Sequence, residues 1–217
     1  MRCITRTLHP ARFQGHRARP PYFEGWYFKL VDASQGQRYA IIPGVFLGQA
    51  PETSHAFVQV LDGVTGQATY HTYPIEDFQA ARDHLEIRIG PNCFTQTHIV
   101  LQIASPERTV SGELHFTGVT PWPVTPLSPG IMGPFAWIPW MECYHGVVSL
   151  DHAIHGVLTV DGTSIDYAGG RGYIEKDWGR SFPAAWVWMQ TNHFQAPGTS
   201  LTASIAVIPW LGSTFSG

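Results

Sequence analysis

Apolar and polar residues alternate along most of this chain in short runs, and turn-forming residues break the runs before any helical period builds up. Tyr22–Val31 ("YFEGWYFKLV") reads as a strand, "DASQGQ" as a turn, and Arg38–Leu47 as the next strand. Segments 55–61 and 67–73 flank "DGVTG", a hairpin loop opening on Asp-Gly. Segments 85–89, 95–103 and 110–119 form a meander with turns at "GPN" and "SPERT". Strands resume at 141–150, 153–160 and 164–167, the last two divided by "DGTS", and 199–208 is the final one. About a dozen strands at even spacing predict an all-β, antiparallel barrel or sandwich architecture.

Between 120 and 140 the pattern stops. "TPWPVTPLSPGIMGPFAWIPW" carries six prolines in 21 residues, which removes ladder donors and excludes a central strand. Its tryptophans and Phe135 are too apolar for a solvated linker, so it reads as an ordered connection. The expected division is a β-barrel over 21–119, this connection over 120–140, and a second β domain over 141–217. The segment "LTASIAVIPWLGSTFSG" follows its apolar strand with no capping element, so the second barrel or sandwich is expected to be incomplete.

Composition narrows the function classes. Hydrophobic residues make up 44% of 217, enough for a substantial core, and a net charge of −3 gives no electrostatic case for nucleic acid. The segment 1–20 holds five arginines and no acid, and it reads as a flexible basic arm. No apolar run approaches the ~18 residues of a membrane span, which leaves peripheral contact as the expected form of any membrane association. Cys3, Cys93 and Cys143 show neither metal spacing nor a disulfide framework, so a reducing cytoplasm is expected and no metal site. The eleven histidines scatter; His152 and His155 on one strand point to opposite faces.

The chain is only 13% charged, yet Arg171–Arg180 in "GRGYIEKDWGRSFPAAWVWMQTN" holds five charges with three tryptophans among or just after them. By strand alternation Glu175 and Asp177 share one face, and Lys176 and Trp178 the other. Trp186, Trp188, Gln190 and Asn192 then share a face, which suits a core with a polar seam or the wall of a ligand cavity. In "YFEGWYFK" Glu24, Trp26 and Phe28 lie on one face, with Tyr27 and Lys29 opposite, and Gly25 permits close approach of a backbone or ligand. Positive charge is carried by eleven arginines and only two lysines, and Lys29 and Lys176 fall in these two segments. Cross-strand pairs of Lys176 with Glu24, or of Lys29 with Glu175 or Asp177, would clamp the two segments together, so they are expected to be neighbours.

At "PYFEGWYFK", "MECYHGVVSLDH" and "GGRGYIEKDWGRSFPAAWVWMQTNHF" the sequence resembles the tocopherol cyclase family. The resemblance implies a lipocalin-like β-barrel similar to carotenoid hydratases, often two barrels in one chain. It also implies cofactor-free closure of a chromanol ring on a prenylated phenol or quinol. Such a reaction needs a dry site, a neutral carboxylic acid and cation-facing aromatic walls. Glu24, Glu175 or Asp177 would supply the acid. Trp26, Trp178, Trp186 and Trp188 would supply the walls, with Tyr27 beside them. Lys29 or Lys176 would orient the phenol, and Gln190 or Asn192 would bind a ring oxygen. His145 is either a proton relay or a hydrogen-bonded core histidine, and Cys143 is assigned to packing. Two other classes fit the same residues: a lipocalin-like carrier of a hydrophobic molecule, and a hydratase or isomerase that captures or deprotonates the same cation.

Overall fold

Twelve antiparallel strands share one sheet in the computed structural model, which describes residues 2–196, 198–210 and 213–216. They are β1 (Tyr22–Val31), β2 (Arg38–Leu47), β3 (His55–Asp62), β4 (Ala68–Tyr73), β5 (Phe78–Ala80), β6 (Glu86–Ile89), β7 (Asn92–Thr95), β8 (His98–Ala104), β9 (Thr109–Thr120), β10 (Cys143–Val160), β11 (Thr163–Asp166) and β12 (Gly170–Gly179). Eleven run in the order β4-β3-β2-β1-β12-β10-β9-β8-β7-β6-β5, with β11 paired to β10, and they curl into a nearly closed barrel. Across the gap, Asn92 of β7 donates to the hydroxyl of Tyr73 on β4 at 3.1 Å. A second sheet of β13 (Trp186–Thr191), β14 (Leu201–Trp210) and β15 (Ser213–Ser216) covers part of the barrel's outside. The all-β reading therefore holds, as a barrel plus a small second sheet.

The sheets do not divide at 120–140. Strands β10 and β12, expected in a second domain, lie beside β9 and β1 in the first sheet. Prolines mark where a ladder stops; they do not say which strand the chain pairs with next. The expected strand 95–103 begins only at His98, as β8, and Thr95 instead closes β7, because the Thr95 hydroxyl accepts from the N–H groups of Thr97 and His98 and turns the chain. The expected 141–150 and 153–160 are one strand, β10, with register shifts around Ser149, whose hydroxyl donates to the Asp151 carbonyl.

Alternation sorts β1 and β12 into two buried faces. Trp26, Phe28, Leu30 and Ile174 point inward and join Val58, Phe94, Leu101, Leu114 and Ile154 in a packed core. The barrel is filled by side chains, as small barrels are. At one end of this interior the Lys176 ammonium donates to Glu24 Oε1 at 2.8 Å, with both side chains fully buried. Strand pairing sets Trp26 opposite Lys176, and the ammonium lies 4.4 Å from the Trp178 ring centroid and 5.2 Å from that of Trp26. Burial pulls the Lys176 pKa down while the Glu24 charge pulls it back.

Residues 2–20 are not a free arm. Helix α1 (Arg2–Leu8) rests on the Pro-rich connection, where Arg6 donates to the carbonyls of Ala136 and Ile138 at 3.1 Å and Thr7 to that of Ala136 at 2.9 Å. The arginine's guanidinium also stacks 3.8 Å over the Tyr144 ring, so a basic residue is spent on tertiary contact. The following residues plug the barrel end. The Arg12 carbonyl accepts from Lys176, the Gln14 N–H donates to both Glu24 oxygens at 3.0 and 2.9 Å, and the Ala11 carbonyl accepts from Trp26 at 3.3 Å. Gly146 makes room for this plug: a Cβ there would stand 2.7 Å from Pro10 Cβ and 3.3 Å from the Trp178 ring.

Removing one member of a buried ion pair leaves the other uncompensated, at a cost of about 3–5 kcal/mol. Lys176→Met is expected to lower unfolding free energy by that order, and Glu24→Gln/Lys176→Met to recover part of the loss, as measured by urea denaturation. A double variant as unstable as the sum of the singles would show that the two groups do not act as a pair.

Candidate active site

The other face of β1, β12 and β10 builds the site. Tyr27 opposes Glu175, and Asp177 sits between Gly25 on β1 and His145 on β10. Gly25 does not serve a close approach, since a Cβ there would meet nothing nearer than 3.7 Å; the tight place is its partner Gly44, where a Cβ would stand 2.3 Å from the Phe57 ring. Over these residues the second sheet and the Pro-rich connection wall a partly open cavity of about 480 Å³. Its apolar lining includes Met132, Phe135, Tyr144, Phe182, Trp186 and Trp188, and its polar lining is dominated by Glu142, His145, Glu175 and Asp177.

Glu142 accepts from the Ser181 hydroxyl at 2.6 Å, and the other three are engaged with one another. His145 Nδ1 stands 2.8 Å from Asp177 Oδ1, and its Nε2 stands 3.3 Å from Glu175 Oε2. The second contact is ionic and not an aligned hydrogen bond, so Nε2 is a buried nitrogen with a free hydrogen-bonding valence. Glu175 Oε2 accepts from the Tyr173 hydroxyl at 2.6 Å and from Trp188 Nε1 at 3.0 Å. Burial raises the Glu175 pKa to about 7, against the opposing pull of the His145 charge. Burial alone would depress His145, but the Asp177 charge and hydrogen bond, helped by Glu175, carry it up to about 9. Near neutrality His145 is therefore an imidazolium held by Asp177, while Glu175 is poised between acid and carboxylate.

The ligating atoms of His145, Glu175 and Asp177 fall within 4.8 Å of one another, a grouping the histidine spacing in the sequence did not foretell. Each already has partners from the protein: Nδ1 holds Asp177, and Tyr173 and Trp188 hold Glu175. Cys143 lines the cavity with its thiol pKa pushed up by burial, which suits packing.

The sequence candidates fall into three groups. Tyr27, His145, Glu175, Asp177, Trp186 and Trp188 line the cavity together. Glu24, Lys176, Trp26 and Trp178 point the opposite way into the barrel end, so that acid, that lysine and those two rings do not face the cavity. The third group, Lys29, Gln190 and Asn192, fastens the second sheet to the barrel. Lys29 donates to Gln190 at 2.6 Å and to Asn192 at 3.2 Å, pairing with neither Glu175 nor Asp177. Asn192 in turn donates to the Gly172 carbonyl at 2.8 Å and to Asp151 at 2.9 Å, and the latter is bound by Arg171. The amides are thus occupied in joining two sheets. Burial lowers the Lys29 pKa to about 8, opposed by Asp151.

Sequence reasoning passed over Tyr173, although alternation from Glu175 puts it on the same face. It also passed over Met132, Phe135 and Phe182, which carry no periodic signal and reach the cavity only through the path of the connecting segments.

Residues 129–211 match the model of a family described as tocopherol cyclase-like, so the resemblance read from the sequence is borne out over that span. The span contains His145, Glu175, Asp177, Trp186 and Trp188 but not β1. No protein of curated function matches the sequence. Among solved structures, the chain is similar to CghA, with 14% identity and a TM-score of 0.60 over 94% of this chain and 58% of that one. It is also similar to kievitone hydratase from Nectria haematococca, with 14% identity and a TM-score of 0.52 over 89% of this chain and 59% of that one. At such identity the likeness speaks to the fold alone, and this chain spans less than two thirds of either structure's length. No helix among the described residues is long and apolar enough to cross a membrane.

A histidine that gains a charged partner on folding stabilises the protein below its unfolded pKa near 6.5, and that contribution is lost as pH rises through about 9. The His145 imidazole is expected to stay protonated past pH 8 in NMR titration. Asp177→Asn is expected to lower its midpoint by on the order of one unit or more. A His145 midpoint at or below the ordinary histidine value would remove the imidazolium from the site.

Proposed function

We propose that this cavity is the active site of a tocopherol cyclase-like enzyme that closes a chromanol-type ring on a prenylated phenol or quinol by acid-initiated cyclisation. The observation that carries the reading is Glu175: a buried carboxyl, pKa about 7, on the wall of a largely apolar cavity. A carboxylic acid that keeps its proton near neutrality can give it to an alkene, and a dry site keeps water from intercepting the cation.

The groups divide the work as follows. Tyr173 and Trp188 both donate to Oε2, which leaves Oε1 as the oxygen to carry the transferable proton. As the alkene π pair takes that proton, a tertiary cation forms and Glu175 becomes a carboxylate. The same two donors and the His145 charge then stabilise the new anion. Asp177 acts through His145, holding the imidazole in orientation and in its charged form. Attack of the phenol oxygen on the cation makes the C–O bond, and the phenolic proton returns to Glu175. The reaction is a net isomerisation with no redox change. Trp186, Trp188 and Phe182 supply apolar walls with electron-rich faces for the cation.

Turnover of a prenylated hydroquinone is the direct test. Glu175→Gln is expected to slow it by about 10²–10⁴-fold, the usual worth of a general acid. The wild-type rate is expected to fall about tenfold per pH unit above pH 7, since the protonated form is the active one. Turnover in heavy water should place deuterium on the former alkene carbon. Unchanged turnover in Glu175→Gln would remove Glu175 as the acid, ligand binding without any wild-type turnover would leave a carrier, and solvent oxygen in the product would mark a hydratase.

A further inference from the structure

The cavity is unequally charged. Three carboxylates line it, from Glu142, Glu175 and Asp177, against a single imidazole, and Asp177 already neutralises that imidazole at 2.8 Å. Neither lysine reaches the cavity: Lys176 faces the barrel end and Lys29 is bound to the Gln190 and Asn192 amides. Arg6 is spent on the Tyr144 ring and two carbonyls of the connection. The remaining wall is aromatic and aliphatic. Phe182 and Trp186 pack with ring centroids 5.5 Å apart, and Tyr27 meets Trp188 edge-on at 5.4 Å. Aromatic faces beside carboxylates that outnumber the positive groups form an environment that favours positive charge.

We propose that the cavity is a cation site, taking an apolar molecule with one positive charge, a quaternary ammonium or protonated amine, in preference to its neutral isostere. The inference rests on the reading of this cavity as the active site and adds that a cation is held there more tightly than a neutral molecule of the same shape. Glu175 couples binding to protons. It is faced by His145 from β10, Asp177 and Tyr173 from β12, Tyr27 from β1 and Trp188 from β13. Of these, Asp177 keeps His145 charged well above neutrality, so across pH 6–8 Glu175 is the group whose charge changes. A bound ammonium favours its carboxylate, so affinity should rise with pH through this range.

Benzyltrimethylammonium and neopentylbenzene test this, because they share a shape and differ only in charge, which is independent of pH in both. Their binding can be followed through Trp186 and Trp188 fluorescence. The ammonium is expected to bind at least about tenfold tighter than the hydrocarbon at pH 8. That preference should shrink by roughly tenfold between pH 8 and pH 6 as Glu175 takes up its proton. Glu175→Gln should flatten the pH dependence, and Trp186→Leu should weaken the ammonium while sparing the hydrocarbon. Equal affinities at pH 8, or a preference independent of pH in the wild-type protein, would overturn the proposal. Turnover without charge preference would defeat this inference alone, and charge preference without turnover of any prenylated phenol would defeat the cyclase reading alone.

Discussion

The buried pair of Lys176 and Glu24 is the interaction from which the arrangement of the site follows. It joins β1 to β12 at a single register, and a slip of one residue would exchange the two faces of either strand. Such a slip would turn the lysine into the cavity and Glu175 into the packed barrel. The ion pair is costly to bury, and its own Coulombic gain is weak evidence of stability. Its neighbours offset that cost: the Tyr22 hydroxyl, the Gln14 N–H, the Arg12 carbonyl and the faces of Trp26 and Trp178 all attend it. The pair specifies which residues meet.

With register set, one strand does two kinds of chemistry. The inward positions of β12 build a core with one saturated charge pair, and the outward positions carry Tyr173, Glu175 and Asp177 under a second sheet. That covering is why Glu175 departs from ordinary carboxylate behaviour; on an uncovered barrel wall it would be a solvated surface acid. Trp188 is wall and donor at once, since its ring meets Tyr27 and its N–H meets Glu175. The polar network of Lys29, Gln190, Asn192, Asp151 and Arg171 stands outside the cavity and holds the covering sheet in place.

The connection over 120–140 and the N-terminal residues act together. Residues of the connection wall the cavity from one side, and α1 anchors that wall through its carbonyls while the next residues close the barrel end. A basic segment without periodicity reads as solvated because its partners are backbone carbonyls and ring faces, which leave no complementary pattern in the sequence. The same reason hides the roles of Met132 and Phe135, whose contacts are set by the course of an irregular segment.

Much of the local architecture was legible in the residues. The bounds of Tyr22–Val31 and Arg38–Leu47 follow from period-two patterning ended by turn residues, since alternation is imposed by the pleat itself. The proximity of the Glu24 and Lys176 segments was legible too, because a chain with two lysines places both inside its aromatic, acid-bearing strands. Alternation separates Glu175 from Lys176, but it does not say which face meets a packed interior and which a cavity. Only the tertiary structure decided that, by laying β13 and β14 over the outside of β1, β12 and β10. It thereby sent Trp26 and Trp178 to the core, Gln190 and Asn192 to an inter-sheet fastening, and His145 to Asp177 and Glu175. A strand's own sequence encodes its two faces; what covers each face depends on segments far along the chain, and burial by those segments sets the chemistry of the groups beneath.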